Sequence, residues 1–360
     1  MALTGKDTGL VYRWEDSFLM QDSTTPGDYS EITDSTNKTF GSNVTMGTNE
    51  GSNNAVRQFN PMNRQAEYII EQQFAGSWSV DFTLTNPWWI KAVYGDATSG
   101  EETSAPYTYT YDGKFPAPMV LIQQTEFPDG TKNHRLYKGC VATSAEISVG
   151  VEDTVSVSLS GAYADEELIK DEEFIEDVEA ESSPPFTTYT QPSNPERPMH
   201  FGEANLYVDQ NGDGDVTKRL RVQDASLTLE GNVDMIYELG TRLGVDFSPK
   251  ALEPSLSYSD IVRNNSDDAA SDVQRMYGSS SSTTPDDPNM DDAAVKAKLE
   301  FDNGASGSDK NALTFTMAGT FLDTYSRNNI GDPTADIEGD IDRLVTRCTA
   351  VVEHSNDSAL

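Results

Sequence analysis

The chain repeats itself. Val44, Thr45 and Met46 precede Asn49, and the hexapeptide IKAVYG follows at 90–95. Leu227, Thr228 and Leu229 precede Asn232, and VQRMYG follows at 273–278. Both landmarks keep one offset of 183 residues, from Thr45 to Thr228 and from Gly95 to Gly278. A spacing held at two such distant places predicts a tandem pair of similar units, so whatever fold one half takes, the other takes as well. A length of 360 residues suits two such units, each large enough to bury a core.

Strand patterns dominate both halves. Trp78, Val80, Phe82 and Leu84 alternate with Ser79, Asp81 and Thr83, which predicts a sheet with one buried face. Tyr68, Ile70 and Phe74 read as a partner run just upstream, and Tyr107, Tyr109 and Tyr111 alternate again. Val120–Ile122 and Leu136–Val141 flank Asp129-Gly130, which suits a hairpin turn because glycine accepts positive φ. Ile147, Val149 and Val151, then Val155, Val157 and Leu159, read as a further hairpin. One short helix is predicted per half. Asn86 is the expected cap, Pro87 the first helical residue, and Trp88, Trp89, Ile90 and Val93 the apolar stripe ending at Gly95. Its counterpart starts at Asn265 or Ser266 and ends at Gly278. Within the repeat, Ser77–Val80 matches Ser255–Tyr258, and Val155–Leu159 matches Leu313–Met317. The expected fold class is therefore mainly β, with two tandem β-sandwich or curled-sheet domains at 1–163 and 199–360, each carrying one short flanking α-helix. Residues 164–198 read as a linker. Its first part is acidic through Glu181, and its second part is Pro-rich and extended.

Sixty acidic against 25 basic residues give a formal net charge of −35. Such self-repulsion weakens a compact state at low salt and is screened at molar salt. Two readings follow: a halophilic protein, or an acidic surface for a partner. The spread of acids along the whole chain favours the first. A basic nucleic-acid-binding face is not expected. MALTGKDTG lacks the apolar segment of a signal peptide, and no stretch approaches the length that spans a membrane. Without a secretion signal, the N-x-S/T matches at Asn37, Asn43, Asn264 and Asn356 read as chance. Cys140 and Cys348 lack metal-ligand spacing and read as small buried hydrophobes.

The sharpest local motif runs from Asp209 to Asp215. Asp209, Asn211, Asp213 and Asp215 place oxygens at alternate positions, with Gly214 for the sharp turn, as a calcium loop requires. Leu220 stands where such a loop has its bidentate Glu, and the flanks read as strands. A Gly/Asp-rich hairpin tip is the rival reading. Calcium at this loop is the one cofactor expectation. His134, His200 and His354 are isolated, and no P-loop, paired-His zinc motif or distinct carboxylate pair stands out. Trp88-Trp89 suits a carbohydrate platform or, at its apolar helical spacing, the core. The chain reads as non-enzymatic.

The second half also carries, in order, Asn232 on a polar hairpin, Tyr237-Glu238-Leu239-Gly240, Met276-Tyr277-Gly278, Phe301-Asp302-Asn303-Gly304 and Ala318-Gly319. This order resembles the tube proteins of long non-contractile virus tails. The first half departs from it, with Phe59-Asn60-Pro61 where the Tyr-x-Leu-Gly turn is expected. The resemblance implies a structural virion protein whose rings stack into a hollow tail tube conducting double-stranded DNA. Single-domain members form hexameric rings, so a duplicated chain implies three copies in a pseudo-hexamer. It also implies tape-measure, tail-terminator and baseplate proteins as partners, assembly in the host cytoplasm, residence in the virion tail, and no membrane insertion. With the acidity, it points to a haloarchaeal tailed virus. The loops Gly47–Ala66, Glu230–Leu243 and Gln21–Thr36 are expected to reach the next ring or to be plain surface loops. The alternative is a two-domain β-sandwich surface or adhesin-type module, stabilised by calcium.

Overall fold

The computed structural model describes residues 8–15, 18–20, 38–59, 65–66, 68–101, 105–113, 115–127, 132–169, 197–209, 215–262, 295–332 and 335–354. In the first half the strands are β1 (Thr8–Trp14), β2 (Ser42–Ser52), β3 (Val56–Gln58), β4 (Tyr68–Ile70), β5 (Ala75–Thr83), β6 (Ser99–Glu101), β7 (Tyr107–Tyr111), β8 (Met119–Glu126), β9 (Lys132–Gly150), β10 (Ser156–Tyr163) and β11 (Asp165–Ile169). Helix α1 (Lys91–Tyr94) lies between β5 and β6. In the second half they are β12 (Ala204–Val208), β13 (Thr217–Lys218), β14 (Val222–Glu230), β15 (Val233–Tyr237), β16 (Gly244–Pro249), β17 (Glu253–Val262), β18 (Lys296–Asp302), β19 (Asn311–Asn328) and β20 (Ile337–His354). The molecule is mainly β, as the alternation predicts.

Sixteen of these strands join into one branched antiparallel sheet. Two runs within it have the same order. The first is β2-β5-β10-β9-β8-β1, and the second is β14-β17-β20-β19-β18-β12. In each run a small hairpin is inserted at the same point: β3 with β4 between β2 and β5, and β15 with β16 between β14 and β17. Each run also turns on one long strand. β9 pairs β8 with its first half and β10 with its second, and β19 spans β20 from end to end while pairing β18 only through Ala318. Gly139 and Gly319 sit mid-strand with φ near +60°, where a side chain is strained. A Cβ on Gly319 would also lie 2.2 Å from Thr346 Oγ1.

The two halves are continuous rather than separate bodies. β14 pairs β9 across the seam, β7 pairs the end of β20, and Asn311 donates from Nδ2 to the Thr85 carbonyl at 2.8 Å. One apolar core runs beneath, from Trp78, Val80 and Phe82 through Ile147, Leu227 and Leu256 to Ile341 and Val352. Trp88 and Trp89 belong to it and form no platform.

Several local expectations are corrected. Asn86 does not cap the helix. A 3-10 turn at Trp88–Ile90 precedes α1 without a side-chain cap, and Asn86 Nδ2 instead donates to the Thr39 carbonyl at 3.2 Å. Tyr68–Ile70 pairs β3 in an exposed hairpin and does not partner β5. Val155–Leu159 and Leu313–Met317 do not correspond. The former leads into β10, beside β5, whereas the latter lies in β19, whose place in the order is that of β9. Asp165–Ile169, read as acidic linker, forms β11 on β9, because Arg135 meets Glu166 at 3.2 Å and Lys138 meets Glu167 at 2.5 Å. The second predicted helix and residues 170–196 of the linker lie outside the described residues. Glu15 ties the first half together. Its carboxylate accepts the N–H of Gly139 at 2.8 Å and of Leu19 at 3.0 Å, and burial raises its pKa to about 8 against those two bonds.

Candidate functional surface

Antiparallel register places directly opposite residues on one face of a sheet. One row of neighbours runs Asp81, Ser158, Glu146, Thr228, Ser255. The next runs Thr83, Ser156, Ser148, Ser226, Ser257, Asp342, Thr324. A third runs Gly150, Asp224, Ser259, Asp340, Ser326. Each row crosses from the first half to the second without a break. None contains lysine or arginine. The residues between them, such as Trp78, Leu159, Ile147, Leu227 and Leu256, point the other way and are buried.

Several hydroxyls on this face donate to carboxylates, and others pair with each other. Ser158 donates to Asp81 at 2.6 Å, Ser226 to Glu146 at 3.1 Å and Ser326 to Asp340 at 3.1 Å. Ser259 donates to Asp224, and Thr324 to Asp342. Ser144 bonds Ser160 at 2.8 Å, and Ser148 bonds Ser156 at 2.9 Å. A carboxylate offers only acceptors, so the surface presents negative charge among its hydroxyls. Phosphates are held most firmly by fixed cations, which these rows do not offer.

The seam has its own geometry. Asp224 to Glu230 of β14 run opposite Gly150 to Ser144 of β9. Beneath it, Ala145, Ile147, Leu227 and Leu229 are fully buried. The β15–β16 hairpin continues over the first half. Arg242 donates to the Gln72 carbonyl at 2.9 Å, to Glu71 at 2.6 Å and to Asn53 at 2.8 Å, while Tyr237 donates to the Phe74 carbonyl at 2.9 Å. The Phe74 N–H returns a bond to the Arg242 carbonyl at 2.7 Å, and Phe247 packs on Phe18 with ring centroids 5.2 Å apart. A hydroxyl and carboxylate face continued across a strand-paired joint is a structural surface. The comparison with protein families agrees: residues 5–340 match the model described as phage tail tube protein. The chain belongs to the phage tail tube family. No curated protein matches it.

A structural tail tube protein is a component of the virion tail, and a tube is built from many copies of its subunit. Against that role the individually expected residues are peripheral. Asp209, at the end of β12, is buried and its N–H bonds the Lys296 carbonyl at 2.8 Å, whereas Asp215 is exposed just before β13. Asn211 and Asp213 lie outside the described residues. His134 and His354 are buried on different strands. His200 accepts the Gly202 N–H at 3.1 Å beside a 3-10 turn. Cys140 and Cys348 are buried free thiols, and burial pushes Cys348 up to about 12. No helix among the described residues is long and apolar enough to cross a membrane. The polar rows were missed from sequence. Their signal was present as Ser156-x-Ser158-x-Ser160 and Ser255-x-Ser257-x-Ser259, but only the register joins those triplets into one surface.

Proposed function

We propose that this tail tube protein polymerises as rings stacked into the hollow tail tube of a tailed virus, and that double-stranded DNA travels along the hydroxyl and carboxylate face. In this reading the chain is a duplicated unit, three copies close a ring of sixfold-like geometry, and tape-measure, terminator and baseplate proteins meet its ends. The observation that carries it is the seam. Two units of like strand order already stand side by side in one chain, with the polar rows unbroken between them. Repeated around an axis, that joint closes the sheet on itself through the strands that would otherwise be its free ends. A lining without fixed cations lets DNA slide, because no counterion-releasing contact holds a phosphate. The tip of the β15–β16 hairpin, Glu238-Leu239-Gly240, is the part left free to reach a stacked ring. The proposed virus is one of a high-salt host, a reading that the acidity supports, and its assembly is proposed to take place in the host cytoplasm. Negative-stain images of the purified protein in molar salt test this. Long hollow tubes of uniform width are expected, and discrete particles at every salt and concentration overturn it.

The loop of Asp209, Asn211, Asp213 and Asp215 remains proposed as a calcium site of structural use. Its support is the alternate spacing of oxygens along the loop. A melting temperature that rises with calcium and falls with chelator is expected, and one unmoved by chelator removes the site.

A further inference from the structure

Resting on the tail tube reading, the structure assigns the strands of the joint between copies. In the shared order β2 stands where β14 stands, and β19 stands where β9 stands. Inside the chain, β14 is hydrogen-bonded to the second half of β9. Among the described residues, β2 pairs only β5, and β19 beyond Thr320 pairs only β20. Among the described residues, the chain therefore leaves two open edges that are each the counterpart of an edge closed at its own seam.

The packing beneath those edges is unfinished in the same way. At the seam, Ala145, Ile147, Leu227 and Leu229 are fully buried. At the open edges, Val44 and Met46 on β2, and Leu322 and Tyr325 on β19, reach the core only partly. The hairpins tell the same story. The β15–β16 hairpin lies on the first half through Tyr237, Arg242 and Phe247. Among the described residues, the matching β3–β4 hairpin has no such seat for its own apolar side chains; Arg242 bonds only the residues at its foot. It leaves Tyr68 63% and Ile69 68% exposed, with Val56 and Ile70 exposed beside them. An edge strand and an apolar hairpin open together constitute an interface, and the surface that matches them belongs to a second copy.

We propose that β2 of one copy pairs antiparallel with Phe321–Asn328 of a second, and that its β3–β4 hairpin seats Val56, Tyr68, Ile69 and Ile70 on that copy's second half. The joint between copies then repeats the joint within one. On the polar face, Thr45 falls opposite one of Thr324, Ser326 or Asn328, which share that face through their pairing with Asp342, Asp340 and Glu338.

Double variants joining Thr45→Cys to Thr324→Cys, Ser326→Cys or Asn328→Cys test this with a short bismaleimide, with each single variant as control. Cys140 and Cys348 are buried and do not compete. Covalent multimers on a denaturing gel are expected from at least one double variant and from no single variant. Tubes that form normally while no double variant links overturn the joint and leave the tail tube reading standing. If the unaltered protein never assembles, that reading fails and the joint fails with it. A second variant, Tyr68→Asp with Ile69→Asp, alters only exposed side chains. Its far-ultraviolet spectrum and melting temperature are expected to match the parent while tubes are lost, and retained tubes overturn the hairpin's role.

Discussion

Glu15 shows what burial does to a single carboxyl in this fold. Its usual value of 4.5 is raised to about 8 by loss of water, while the Gly139 and Leu19 amides favour the charged form. Below about 4.5 the folded and unfolded chains both hold the proton. Between about 4.5 and about 8 only the folded chain holds it, so stability falls as pH rises through that window. The difference is on the order of a few kcal/mol. Glu15→Gln removes the titration, although it also loses one acceptor. Its melting temperature should therefore gain on the parent steadily from pH 5 to pH 8, and a constant difference across that range would show that Glu15 does not titrate there. The pair of Arg219 and Asp260, 2.8 Å apart with both side chains buried, makes a different prediction. Asp260→Ala leaves a guanidinium buried without its carboxylate and should cost about 3–5 kcal/mol in chemical denaturation. A loss below about 1 kcal/mol would mean that other groups hold Arg219.

At the scale of elements, Arg242 is the hinge between hairpin and neighbouring half. It is about half exposed, so Arg242→Ala should change global stability by no more than about 1 kcal/mol. Hydrogen exchange should nevertheless quicken in β15, β16 and the stretch from Tyr68 to Phe74, and unchanged protection there would refute the contact's importance. How far elements were legible in the sequence follows from what each depends on. β5 was readable because the alternation of Trp78, Val80 and Phe82 with small polar residues is a local consequence of one buried face. The match of Val155–Leu159 to Leu313–Met317 failed because any buried strand shows that alternation, and it carries no mark of position in a sheet. β11 was hidden because its acids are neutralised by Arg135 and Lys138, residues of another strand. The polar rows needed cross-strand register, which no local pattern encodes. The spacing of 183 residues was visible in the sequence, whereas the pairing of β14 with β9 joins residues that only the folded sheet brings together.

For the whole molecule, net charge is the dominant long-range term. With −35 formal charges on 360 residues, repulsion is felt across the entire sheet, including the seam, where Glu146 and Glu230 lie on one face. The Debye length shrinks from about 10 Å at 0.1 M salt to about 3 Å at 1 M. The melting temperature should therefore rise across that range, and assembly should strengthen with it. A flat salt profile measured by calorimetry would contradict the role assigned to the acids.

The hydrogen bonds between β14 and β9 also impose an arithmetic on any closed assembly. In the proposed ring each polypeptide delivers its two runs of like strand order as a bonded couple, so a complete circle holds an even number of such runs, and circles of five or seven are out of reach. Parity is thus written into the covalent chain before any two molecules meet.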